Sequence, residues 1–309
     1  MAIGGYPPAT HFLGDLGFIS EVLSDTGARG RTRVSPHVSG ADGGARAGVV
    51  ATLVDVVGGM LGVQILRPDW MATADLTVQL VRPAVGPCIE ARVDLVRRGR
   101  TTVVLEALVV NVDDDGCEVH GPGGASEPVA WCTTTFAILP GGNRTTDREL
   151  PFDLPTRMQI GGDGLERSLM DTLGIEVLDA GAGRVSLPVH PYVHNSIEAV
   201  QGGAMALLGD VAATEALSAA PGDEEAMVVT DLQVAYLTLG RVGPIVTRAT
   251  VLDGGEAVDG VDGRRPSGGP VPASAVVELV DTGADDRLTT VVNARAMPAV
   301  SFARGAAAT

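Results

Sequence analysis

The sequence predicts an α+β fold built twice. Each unit is a curved sheet wrapped around one long buried helix. Three observations predict it: the chain repeats itself, it carries two helices that are apolar on every face, and β-branched runs outnumber helices in each copy.

The repeat comes first. Placing Asp55 over Asp210 puts Gly48 on Gly203, Ala47 on Gly202 and Leu53 on Leu208. Downstream, ADLTVQLVRPAVGP from Ala74 aligns with TDLQVAYLTLGRVGP from Thr230. Both share Asp-Leu-x-Val and close on Val-Gly-Pro, with one residue inserted in the second copy. Upstream, Leu16-Gly17-Phe18 pairs with Leu173-Gly174-Ile175. These alignments set a first unit at residues 1–145, a linker at 146–160 and a second unit at 161–309.

The helices come next. From Val49 to Leu66 the polar side chains are Thr52, Asp55 and Gln64, so no polar face exists and the helix should be buried. The stretch from Gly203 to Leu217 reads the same way, with Asp210 in its middle. The strands follow each helix. PCIEARVDLV and TTVVLEALVVNV flank a turn at RRGR, and VAWCTTTFAIL closes copy one. In copy two the strands are PIVTRATVLD, ASAVVELVD and RLTTVVNARAM. GGEAVDGVDGRRPSGGPVP between the first two reads as a long hairpin loop, and PGGNRTTDRELPFDLP as the join between copies.

Composition excludes several classes. The 309 residues are 45% apolar, enough for a large core. No apolar run reads as long enough to cross a bilayer, and the start lacks a basic stretch leading into an apolar one. A cytoplasmic protein with no membrane partner is expected. Cys88, Cys117 and Cys132 lack CxxC spacing, so neither a disulfide framework nor a zinc site is expected, and no cofactor is implied. A net charge of -16 argues against nucleic acid. All 22 basic residues are arginine, which excludes a Schiff-base lysine and a P-loop lysine.

The sequence resembles the hotdog-fold acyl-CoA thioesterases of the phenylacetate-pathway (PaaI-like) branch, here as a tandem, double-hotdog chain. In that family the central helix opens on His/Gln-Gly-Gly and carries a catalytic Asp eight residues after the first Gly, with an Asn six before the His/Gln. Copy two holds Asn195, Gln201, Gly202, Gly203 and Asp210 at that spacing. Copy one keeps Gly48 and Asp55 but has Gly40, Arg46 and Ala47 at the other positions. The family's strand Ser/Thr falls on Thr73 in copy one and on Val229 in copy two.

The resemblance implies thioester hydrolysis. The Gly202 N–H at a helix start would hold the carbonyl oxygen, with Asn195 as second donor, and an Asp would activate water or attack directly. Gly202 and Asp210 are about 12 Å apart along one helix and cannot serve one carbonyl. Each acid must therefore come from the other copy's helix, and the resemblance implies how: two hotdog units with antiparallel sheets, paired within the chain as a pseudo-dimer with their helices antiparallel. One site then joins Asn195, Gln201 and Gly202 to Asp55 and Thr73. The other joins Gly40, Arg46 and Ala47 to Asp210 and Val229, and is degenerate. If the inserted residue slips the strand, Thr230 stands in for Val229.

The resemblance also implies an acyl-CoA partner. Arg97, Arg98 and Arg100 on the hairpin turn suit its phosphates, with Arg264 and Arg265 a second candidate, and Gly203 is expected at the substrate. Gly58 and Gly59 leave room for an acyl chain. A homo-oligomer formed by pairing such units is expected. The rival readings are a non-catalytic acyl-CoA-binding or structural protein on the same fold, and a hotdog hydratase. The hydratase needs a histidine on its central helix, and neither helix carries one.

Overall fold

A computed structural model describes residues 6–67, 69–119, 128–139, 154–219, 226–253 and 272–307. The first copy contains α1 (Phe12–Asp15), β1 (Ile19–Val22), β2 (Gly27–Arg33), α2 (Ala47–Leu66), β3 (Trp70–Leu80), β4 (Cys88–Arg98), β5 (Thr102–Val112) and β6 (Pro128–Leu139). Then follow β7 (Thr156–Gln159), α3 (Leu169–Leu173), β8 (Glu176–Asp179), β9 (Arg184–Leu187), α4 (Gly202–Ser218), β10 (Met227–Tyr236), β11 (Ile245–Asp253), β12 (Ala273–Asp281), β13 (Arg287–Pro298) and α5 (Ala299–Ala307).

The strands form one antiparallel sheet in the order β7-β1-β2-β4-β5-β6-β3-β10-β13-β12-β11-β9-β8. The order is symmetric about the β3–β10 pair, apart from β7 at one edge. Two separate sheets were expected. They are joined because β3 and β10 bond directly, from Asp231 opposite Gln79 to Ala235 opposite Asp75. Thr156–Gln159, within the segment read as linker, form β7 and pair with β1. The hairpin loop with Arg264 and Arg265, and most of the join between copies, lie outside the described residues.

Side chains alternate along the strands, buried and less buried by turns in β5 and β12, so one face of the sheet carries the core. That face wraps α2 and α4. By length and composition α2 could cross a membrane, which corrects the reading that no run has that length. Its burial is explained by the sheet on one side and α4 on the other. The two helices cross antiparallel at glycines. A Cβ on Gly48 would lie 2.5 Å from Leu207 Cα, and one on Gly203 would lie 2.5 Å from Thr52 Cα. Only glycine permits this approach, and it brings the middle of each helix to the start of the other.

Candidate active site

Gln201 caps α4: its Oε1 accepts from Ala204 N at 3.1 Å. Its Nε2 donates to Asp55 Oδ2 at 2.7 Å, across from α2. Thr73 Oγ1 on β3 donates to Asp55 Oδ1 at 2.7 Å, and the Gly203 N–H is a third donor to the same carboxylate. A Cβ on Gly202 would sit 2.9 Å from Asp55 Oδ2, so a glycine is required there too. As the first residue of α4, Gly202 has an N–H with no carbonyl a turn behind it to bond.

Asn195 lies in the loop before α4. Its Oδ1 accepts from Ile197 N at 3.0 Å and Ala199 N at 3.1 Å. Two backbone donors on Oδ1 fix the amide, leaving Nδ2 as its donor end. Asn195, Gln201, Gly202, Asp55 and Thr73 all line one cavity of about 330 Å³. The structure thus brings together the five residues expected in the complete site.

Thr73 reaches Asp55 through a bulge. The β3–β6 register shifts between Thr73 and Asp75, and the β10–β13 register shifts between Val229 and Asp231. The same irregularity in both copies settles the inserted residue: Val229, not Thr230, occupies the place of Thr73.

The second acid has different company. Asp210 Oδ2 accepts from Gly48 N at 3.0 Å, Thr214 Oγ1 donates to Oδ1 at 3.3 Å, and Arg46 Nη1 lies 4.0 Å away. Arg46 stands where Gln201 stands in the other site, but it makes no cap hydrogen bond. Val229 is buried and apolar. Burial raises the pKa of both acids. For Asp55, which is held by neutral donors that only partly offset burial, it reaches about 6. For Asp210 the rise is opposed first by the Arg46 charge and then by the Gly48 N–H.

Four expected residues fall elsewhere. Gly203 does not line the cavity; it is pressed against Thr52 and holds Asp55 instead. Arg97, Arg98 and Arg100 are exposed at the β4–β5 turn, outside the cavity wall. Sequence reasoning missed Tyr236, which lines the cavity and donates from Oη to Gly202 O at 2.9 Å. Burial and the nearby Asp55 raise its pKa. The repeat held the signal, since Tyr236 aligns with Leu80. It also missed Tyr6, Leu13, Met158 and Ile160, which line the same cavity from outside α2 and α4. Among the described residues, no group of three or more His, Cys, Asp or Glu is placed to hold a metal ion.

Residues 47–118 match the family model described as Thioesterase superfamily. The comparison with curated proteins gives no match. Among solved structures, the tesB protein of Mycobacterium avium subs paratuberculosis is similar at 13% identity, covering 90% of this chain and 96% of that one, with a TM-score of 0.54. The 12:0-ACP thioesterase from Umbellularia californica is similar at 12% identity, covering 88% and 94%, with a TM-score of 0.51. The chain has the hotdog-type thioesterase fold, a large antiparallel sheet around central helices, and the superfamily match supports thioester hydrolysis as its class of reaction.

Proposed function

We propose that the chain is an acyl-CoA thioesterase of the PaaI-like branch, two hotdog units in tandem with one complete site. A single observation carries the reading: Asp55 of one helix is bonded to Gln201, next to Gly202 at the start of the other, whose N–H has no helical carbonyl behind it. A buried acid with a pKa near 6 beside a helix-start N–H is what ester-type hydrolysis needs.

The substrate carbonyl oxygen accepts from the Gly202 N–H and from Asn195 Nδ2. Asp55 takes a proton from water as the water oxygen bonds to the carbonyl carbon. The developing oxyanion is held by the same two donors. The C–S bond then breaks, Asp55 returns the proton to the leaving sulfur, and the carboxylic acid and free thiol depart. Gln201 and Thr73 hold both oxygens of Asp55, so the carboxylate keeps one orientation throughout.

Thiol release from a panel of acyl-CoAs tests the reading against a non-catalytic binder of the same ligand. Turnover is expected, and Asn195→Ala should lower it by roughly ten- to a thousandfold while the fold survives, as loss of an oxyanion donor does. Binding without turnover on every substrate supports the rival.

Arg97, Arg98 and Arg100 are the proposed anchor for the nucleotide phosphates. Changing all three to Ser should raise KM for acyl-CoA far more than it lowers kcat, because a phosphate grip is uniform binding. The effect should shrink for a pantetheine thioester that lacks the nucleotide. Equal effects on both substrates contradict the anchor.

A further inference from the structure

Val56, Gly59 and Val63 are, with Gln64, the partly exposed positions of α2, and these three line the cavity beyond Asp55. Their spacing of three and four puts them on one helix face. Glycine inside a helix is destabilising relative to alanine, so each one there needs a reason. The other glycines of α2 have one in packing. A Cβ on Gly48 would meet the Leu207 backbone, one on Gly58 would come within 3.3 Å of Thr134 Cγ2, and one on Gly62 within 2.3 Å of Met71 Sδ. A Cβ on Gly59 would meet nothing within 4 Å. No packing demand explains it. What its bare backbone provides is open space in the cavity, one helical turn beyond the carboxylate.

The lining of the same cavity includes the apolar side chains Met60, Val63, Met71, Phe136, Met158 and Ile160. Three of those six are methionines, unbranched side chains that adapt to a flexible guest. We propose that this lobe receives the acyl group as an extended aliphatic chain of medium length, and that Gly59 is the specificity-determining position that keeps it open. The assignment of the guest as an acyl group rests on the thioesterase reading. From Asp55 to Val63 the helix advances about 12 Å. An extended chain advances about 1.2 Å per bond, so the lobe matches about ten carbons.

Decanoyl-CoA, acetyl-CoA and free decanoate test the inference. The chain has two tryptophans; Trp70 lines the cavity, while Trp131 is 47% exposed on β6. In a Trp131→Phe background, decanoate should change Trp70 emission saturably, and adding Gly59→Leu should weaken that binding by about tenfold or more, the scale of lost apolar contacts in a blocked pocket. The ratio of decanoyl to acetyl kcat/KM should fall by about thirtyfold or more in Gly59→Leu. Gly59→Ala has room for its methyl and gains helix propensity. It should keep or raise Tm and lower the ratio less, which guards against a misfolded leucine variant. Decanoate that leaves Trp70 unchanged overturns the inference. So does a Gly59→Leu chain whose binding and ratio match its parent's. If decanoate binds in a Gly59-dependent way while no thioester is cleaved, the hydrolysis reading fails and the lobe assignment stands.

Discussion

Burial pushes the carboxyl of Asp55 from the usual 3.8 up to about 6, because its partners Thr73, Gln201 and the Gly203 N–H are neutral. Two consequences follow at the scale of the residue. A general base works ionised, so kcat/KM should climb with pH through about 6 and level off above it. A profile flat from pH 5 to 8 contradicts the role. The second consequence is for stability. The folded chain holds this proton more tightly than the unfolded chain, so the contribution favours folding below about pH 4. It is lost as pH rises from about 4 to about 6, on the order of 3 kcal/mol at most. Asp55→Asn removes that loss, and it should melt at or above the parent at neutral pH even as it loses activity. The grouping of Asp55, Thr73, Asn195, Gln201 and Gly202 in one cavity was legible through the family resemblance, whose motif spacing these residues match. Tyr236 was not, because a tyrosine at the end of a strand carries no local pattern that marks a partner in Gly202.

The helix crossing belongs to the element scale. α2 and α4 approach so closely that a methyl on Gly48 would strike the Leu207 backbone, which has no side-chain freedom to yield. Gly48→Ala should therefore destabilise by about 1–3 kcal/mol through overpacking, despite alanine's better helix propensity. Chemical denaturation checks it; an unchanged or raised midpoint contradicts the close crossing. The helices were readable because a segment with no polar face has no alternative to burial. The strand boundaries were readable from β-branched runs between Gly and Pro. The matched bulges at Thr73 and Val229 were not, since they are set by pairing with β6 and β13 and leave no mark on the strand itself. β7 and α5 were missed for a similar reason: β7 is short and held by its partner β1, and α5 lies past the last strand of the repeat.

At the scale of the whole molecule, the β3–β10 seam turns two repeats into one sheet and sets their helices antiparallel. Each acid is thereby delivered to the other helix: Asp55 to Gln201 and Asp210 to Gly48. That exchange was legible once the resemblance had assigned the roles, because eight residues of helix separate Gly202 from Asp210. The joining of the sheets was not, because the edge of a strand does not announce its neighbour. Under the proposed function these two exchanged acids, alike in sequence, are unlike in role. Asp55 lines a cavity together with Asn195 and Gly202, whereas Asp210 has the Arg46 guanidinium 4.0 Å away. The direct test is the initial rate of thiol release by Asp55→Asn and Asp210→Asn, each shown by a thermal melt to be folded. Asp55→Asn should lose at least about a hundredfold, and Asp210→Asn should stay within a few fold of the parent. Loss of activity in Asp210→Asn with activity spared in Asp55→Asn, or a halving of the rate in both, contradicts it.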